Sequence, residues 1–123
     1  MTSITITLGL PPKELSPNSR TCWWVKAMYT KGYREAAWAT TFKAIGRAKP
    51  PRWMRARATA TFYFATNRKR DFDNADATLK ACWDGIAQAG LIADDAGLEH
   101  GTTQFRIDPE SPRVQLFIEE IPA

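Results

Sequence analysis

Hydrophobic and polar residues along this chain switch between two rhythms, and the switches outline its elements. From residue 3 to 10, Ile4, Ile6 and Leu8 alternate with Thr5 and Thr7, the period of a half-buried strand, and Pro11-Pro12 ends it. The proline-containing stretch up to Arg20 predicts an ordered surface connection, with Asn18 or Ser19 placed to cap the element that follows. From Thr21 to about Ile45 no proline intervenes, helix formers are frequent and Gly46 stands at the C-cap position, so a helix is predicted, although Gly32 interrupts it. After Pro50-Pro51, Ala56, Ala58, Ala60, Phe62 and Phe64 alternate with Arg55, Arg57, Thr59, Thr61 and Tyr63, which predicts a strand with one core face and one partly cationic face. Residues 73 to about 89 then return to helical spacing, with Ala75, Leu79, Cys82 and Ile86 on one side and Gly90 as a stop. Two more alternating segments, around Thr103, Phe105 and Ile107 and around Val114, Leu116 and Ile118, flank Asp108-Pro109-Glu110-Ser111-Pro112 and predict a hairpin with a longer loop.

The order β-α-β-α-β-β predicts an α+β fold, a small mixed β-sheet packed with two main helices. At 123 residues the chain is expected to form one domain spanning 1–123. Its 44% hydrophobic and 24% charged residues are ordinary for a globular protein, and the net charge of +4 is compatible with a nucleic-acid partner without requiring one. Cys22 and Cys82 both fall in predicted helices, so a disulfide framework is not expected and a reducing cytoplasm is. With His100 as the one histidine, a Cys/His zinc site is not expected from one chain. The N-terminal residues lack the pattern of a signal peptide, and no apolar run approaches a membrane span, so a cytoplasmic protein without membrane contact is expected.

The candidate chemistry lies in Arg68-Lys69-Arg70-Asp71-Phe72-Asp73-Asn74, answered some twenty residues later by Asp94-Asp95. Cations alone would bind a polyanion and carboxylates alone would repel one; together they suggest phosphate chemistry through a divalent metal. Two aspartates one residue apart can supply the few carboxylate oxygens that magnesium takes alongside retained waters. At 100° per residue, Asp73, Lys80 and Asp84 fall within about 40° of one another, opposite the apolar stripe of the second helix. Blander roles stand beside this reading. Asp73 is an acceptable helix N-cap, Asp71 could pair with Arg68 or Arg70, and Asp94-Asp95 could be a solvated turn. An EF-hand loop is excluded, since it would need glycine at Asp76 and glutamate at Cys82.

Taken together, Arg70-Asp71-Phe72-Asp73-Asn74, Leu79-Lys80-Ala81, Asp84-Gly85-Ile86 and Ala89-Gly90-Leu91-Ile92-Ala93-Asp94-Asp95 resemble the signature of RusA-type Holliday-junction resolvases, common in phages and prophages. Leu10-Pro11-Pro12 with Pro17-Asn18-Ser19-Arg20 is similar to that family's opening, and the strand from Val114 to Glu120 to its end, so the resemblance spans nearly the whole chain. It implies a homodimeric endonuclease that makes paired cuts in four-way junction DNA, with Mg2+ as cofactor and Mn2+ as a substitute, in the cytoplasm of a bacterium or phage-infected host. The family's metal-binding aspartates map onto Asp71, Asp73 and Asp95. Its lysine stands four residues after the second aspartate in the best-known members, where this chain has Ala77; Lys80, seven residues after as in some phage-type members, is the candidate here. Arg68, Lys69 and Arg70, with Asn18 and Arg20, are the implied DNA contacts. A non-catalytic junction-binding module and a less specific flap or branched-DNA nuclease are the alternatives.

Spacing raises a geometric question. A helix over 73–89 is about 24 Å long, and the residues from Gly90 to Asp95 can return at most roughly 18 Å. Asp95 therefore reaches its own Asp71 only if the helix is short or the chain doubles back, and otherwise comes from a partner subunit.

Overall fold

The computed structural model describes residues 2–122. It is an α+β fold built on one mixed five-stranded sheet. The chain runs β1 (Ser3–Leu8), α1 (Trp23–Ile45), β2 (Ala56–Phe64), α2 (Phe72–Ala77), α3 (Lys80–Gln88), β3 (Leu98–His100), β4 (Gln104–Ile107) and β5 (Arg113–Glu120), with short 3-10 turns at Lys13–Leu15 and Asp95–Gly97. The spatial order is β1-β5-β2, with β3 and β4 following one another along the free side of β2. β5 is antiparallel to both its neighbours, while β3 and β4 run parallel to β2.

The alternation in β1, β2 and β5 translates into one buried face. Ile4, Ile6 and Leu8, then Ala56, Ala58, Ala60 and Phe62, then Val114, Leu116 and Ile118 share it. Against this face pack Tyr33, Ala37 and Ile45 of α1, Cys82 and Ile86 of α3, and Leu79 just before α3. The small alanines of β2 let the helices approach, and Gly85 does the same between helices: a Cβ there would run into the carbonyl oxygen of Arg34 in α1. Gly90, at φ +90°, ends the second helical region as expected, and the backbone of Gly90 and Leu91 then accepts bonds from Arg52 and Trp53.

Three expectations are corrected. The helix over 73–89 is two helices. Asp73, Asn74, Asp76 and Thr78 are poor helix-interior residues, and the N–H groups of Thr78 and Leu79 close on Ala75 and Asp76 in tight three-residue bonds while the Thr78 hydroxyl binds the Ala75 carbonyl at 2.6 Å. The turn delivers Leu79 into the core, where it is fully buried. The predicted hairpin between the last two segments does not form, because β5 lies between β1 and β2 whereas β4 lies on the other side of β2. Parallel pairing of β2 with β3 and β4 demands a crossover, and α2 and α3 supply it. Finally, neither Asn18 nor Ser19 caps α1. Ser19 bonds Thr21 instead, and the N-cap is Cys22 without a side-chain cap.

Candidate active site

The acidic segment leaves β2 at Phe64 and enters α2 at Phe72, and aromatic rings fix both ends. The Arg70 guanidinium lies 3.8 Å from the Phe64 ring centroid, and Phe72 stacks on Phe105 of β4 at 4.1 Å. Between them sits Asp71. Its Oδ1 accepts the N–H of Asp73 at 2.8 Å and of Asn74 at 3.4 Å, making Asp71, and not Asp73, the N-cap of α2. Asp71 pairs with neither Arg68 nor Arg70; among the described residues the ion pairs are Arg55 and Arg57 with Glu99, and Arg113 with Asp108. Asp73 stands exposed in the first turn, one residue from Asp71.

The cations divide in their roles. Arg70 turns back on its own loop, donating to the Thr66 carbonyl at 2.8 Å and the Arg68 carbonyl at 3.1 Å. Desolvation, and then the charge of Arg68, lower its pKa without removing its proton. Arg68 and Lys69 are exposed. Arg68, Arg70, Asp71 and Asn74 line a groove of about 470 Å³ whose opposite wall is Leu10, Pro11, Lys13 and Ser16. Lys13 is thus a cation of this groove that the sequence reading did not select; its one signal was its place directly after Pro11-Pro12. Asn18 and Arg20 are exposed nearby in sequence, but neither lines the groove.

The remaining candidates lie elsewhere. Lys80 opens α3 and lines a separate cavity of about 380 Å³ with Asp76, Trp83, His100 and Thr103, in which Thr103 Oγ1 donates to Asp76 Oδ1 at 2.5 Å. The break before α3 interrupts the single helix on which the acid-base-acid face was expected, and Lys80 and Asp84 line a groove with Ala77 and Thr78. Asp95 follows Asp94, whose Oδ1 caps the 3-10 turn by accepting the Ala96 N–H at 3.1 Å. Both line a groove with Arg34 and Asp84, distinct from that of Asp71. Hydrogen bonding with the Asp94 carboxylate, then its charge, raise the pKa of Asp95, while the Ala96 N–H lowers that of Asp94.

Asp95 and Asp71 therefore line separate grooves of the chain. Among the described residues no three His, Cys, Asp or Glu side chains are grouped closely enough to hold a metal ion. Asp71 and Asp73 together offer hard oxygen donors, and magnesium is commonly held by one or two carboxylates with waters and substrate phosphate oxygens, so this pair suits the ion without a third aspartate from the same chain. Among the described residues no helix is long and apolar enough to cross a membrane. No protein-family model matches the chain, and neither does any curated protein.

Proposed function

We propose that this chain is a divalent-metal-dependent endodeoxyribonuclease that resolves four-way DNA junctions as a homodimer in a bacterial or phage-infected cytoplasm. The observation that carries the reading is the Asp71–Asp73 pair at a helix start, of which Asp71 lines a groove that also presents Arg68 and Lys13. Asp71 and Asp73 would hold Mg2+, or Mn2+ in its place. The ion would supply an activated water and neutralise charge on the phosphate. Arg68, Lys69 and Lys13 grip flanking phosphates, with Asn18 and Arg20 as outlying contacts, and Arg70 positions the loop that carries Asp71. Lys80, which lines a separate cavity from Asp71, would meet the leaving oxygen only from the second copy. Two cuts across a near-two-fold junction call for two copies of the site, and a C2 pair provides them. Because Asp95 lines a different groove from Asp71, it joins this site from the second copy.

Cleavage of a synthetic four-way junction with Mg2+, beside linear duplex and flap substrates, tests the reading, with Asp73→Asn as the inactive control. Binding without metal-dependent cutting would overturn the enzyme, and equal cutting of flaps would overturn the junction preference. Mixing Asp71→Asn with Asp95→Asn chains tests the shared site: heterodimers recover activity if Asp95 is supplied in trans. The same separation of Asp95 from Asp71 favours, as second reading, a junction-binding module that does not cut.

A further inference from the structure

The outer face of α1 carries an apolar seam that its own fold leaves uncovered. Trp24, Met28, Trp38 and Phe42 are 58%, 64%, 41% and 54% exposed, and Trp38 stacks on Phe42 with centroids 5.2 Å apart. With Lys31 and Glu35 they follow one another at steps of four, three, four, three and four residues, the spacing of a coiled-coil seam. At 100° per residue all six fall within about 80° of arc, along about 27 Å of helix. The opposite face, through Tyr33, Ala37, Thr41 and Ile45, is buried against the rest of the fold.

The seam reads the same in both directions. Running the helix backwards about Tyr33 exchanges Trp24 with Phe42, Met28 with Trp38, and Lys31 with Glu35. Two copies laid antiparallel therefore set aromatic against aromatic, Met28 against Trp38, and each Lys31 ammonium against a Glu35 carboxylate. A parallel pair would set Lys31 on Lys31 and Glu35 on Glu35, so charge selects the antiparallel arrangement. Gly32, beside the centre, has nothing within 4 Å of where a Cβ would stand, so its own chain does not require a glycine there, and the bare backbone lets a second helix come close. With aromatic side chains worth about 150–250 Å² each when covered, the four apolar residues offer on the order of 500 Å² per copy at their observed exposures, approaching the roughly 800 Å² per partner of a standard interface.

We infer that α1 is the self-association face of this protein, pairing two copies antiparallel through Trp24, Met28, Lys31, Glu35, Trp38 and Phe42. The inference deepens the two-copy element of the proposed function and rests on it for its purpose. Pairing is nevertheless measurable without DNA or metal.

Sedimentation of the full chain tests it. The wild type is expected to be dimeric at micromolar concentration, and Trp38→Glu and Met28→Glu each raise the dimer Kd by at least about tenfold with unchanged far-UV circular dichroism. Lys31→Glu and Glu35→Lys each weaken the dimer, an equimolar mixture of the two forms heterodimers, and the double variant regains wild-type pairing. A monomeric wild type, or a dimer indifferent to both glutamate substitutions, overturns the face. A double variant weaker than either single overturns the antiparallel register. A monomer that cuts junctions would sink this inference and spare the nuclease; a dimer of this kind that cuts nothing would do the reverse.

Discussion

The Arg70 guanidinium sits over Phe64, 3.8 Å from the ring centroid, while the same side chain donates to the Thr66 carbonyl at 2.8 Å. Of the three consecutive cations it is the one committed to its own chain. An exposed cation–π contact contributes about 0.5–1 kcal/mol and a hydrogen bond about 1 kcal/mol, so Arg70→Ala should lower stability by about 1–2 kcal/mol in urea unfolding. Arg68→Ala should change stability by less than about 0.5 kcal/mol, yet reduce the salt slope of DNA binding by about one, read by anisotropy across a salt series. An unchanged slope would remove Arg68 from the binding surface.

Asp71 carries two duties that substitution can separate. As N-cap of α2 it is replaceable by asparagine, so Asp71→Asn should unfold within about 0.5 kcal/mol of wild type, whereas Asp71→Ala should lose about 1 kcal/mol. Both should abolish Mg2+-dependent cutting. If Asp71→Asn cuts as well as the wild type, the carboxylate is a cap and nothing more.

Packing rather than pattern fixes Gly85. A methyl group there meets the Arg34 carbonyl, so α1 and α3 must separate for Gly85→Ala to fold. The helix-propensity gain of alanine is about 1 kcal/mol, and overpacking costs about 1–3 kcal/mol or more. Net destabilisation is expected, visible as a lower thermal midpoint; a higher midpoint would mean the helices are not in contact at this position.

The Arg113 guanidinium donates to Asp108 Oδ2 at 2.7 Å and holds that carboxyl below its ordinary pKa, assisted by the N–H groups of Ser111 and Glu110. A depressed folded pKa gives stability that is present above the unfolded value, near 3.9, and lost as pH falls through the folded one. Asp108→Asn should therefore be less stable than wild type at neutral pH, with the difference shrinking as pH drops below about 4. Urea midpoints across pH check this, and a constant difference would argue against the pair.

Much of the architecture was readable because burial in this sheet is one-sided. β1, β2 and β5 alternate so regularly that their faces follow from the residues, and Gly46 and Gly90 mark helix ends that the structure keeps. What periodicity did not convey is order in space. Nothing in the residues of 104–107 and 113–120 says that β2 will come between them. The break at Thr78 was hidden for a related reason. Leu79, Cys82 and Ile86 keep helical spacing across it, while the side chains that weaken the helix, Asp73, Asn74, Asp76 and Thr78, lie outside that apolar stripe.

The site divides along the same line. Local grouping made Asp71 and Asp73 neighbours, and they are. The placing of Lys80 with His100 and Thr103, and of Asp95 with Arg34, depends on contacts between segments far apart in sequence, which spacing along one segment does not encode.

The break also separates two levels of stability. α3 buries Ala81, Cys82, Gly85 and Ile86, whereas α2 has no buried residue and is held by its cap, by Phe72 on Phe105, by the Thr103 hydroxyl on Asp76 and by the half-buried Ala75. Amide hydrogens of α2 should exchange through local opening well below the global unfolding free energy, while those of α3 wait for nearly complete unfolding. The two aspartates thus ride on the part of the fold whose order is cheapest to lose, and any ligand that bridges them would be read as slowed exchange in residues 72–77 alone.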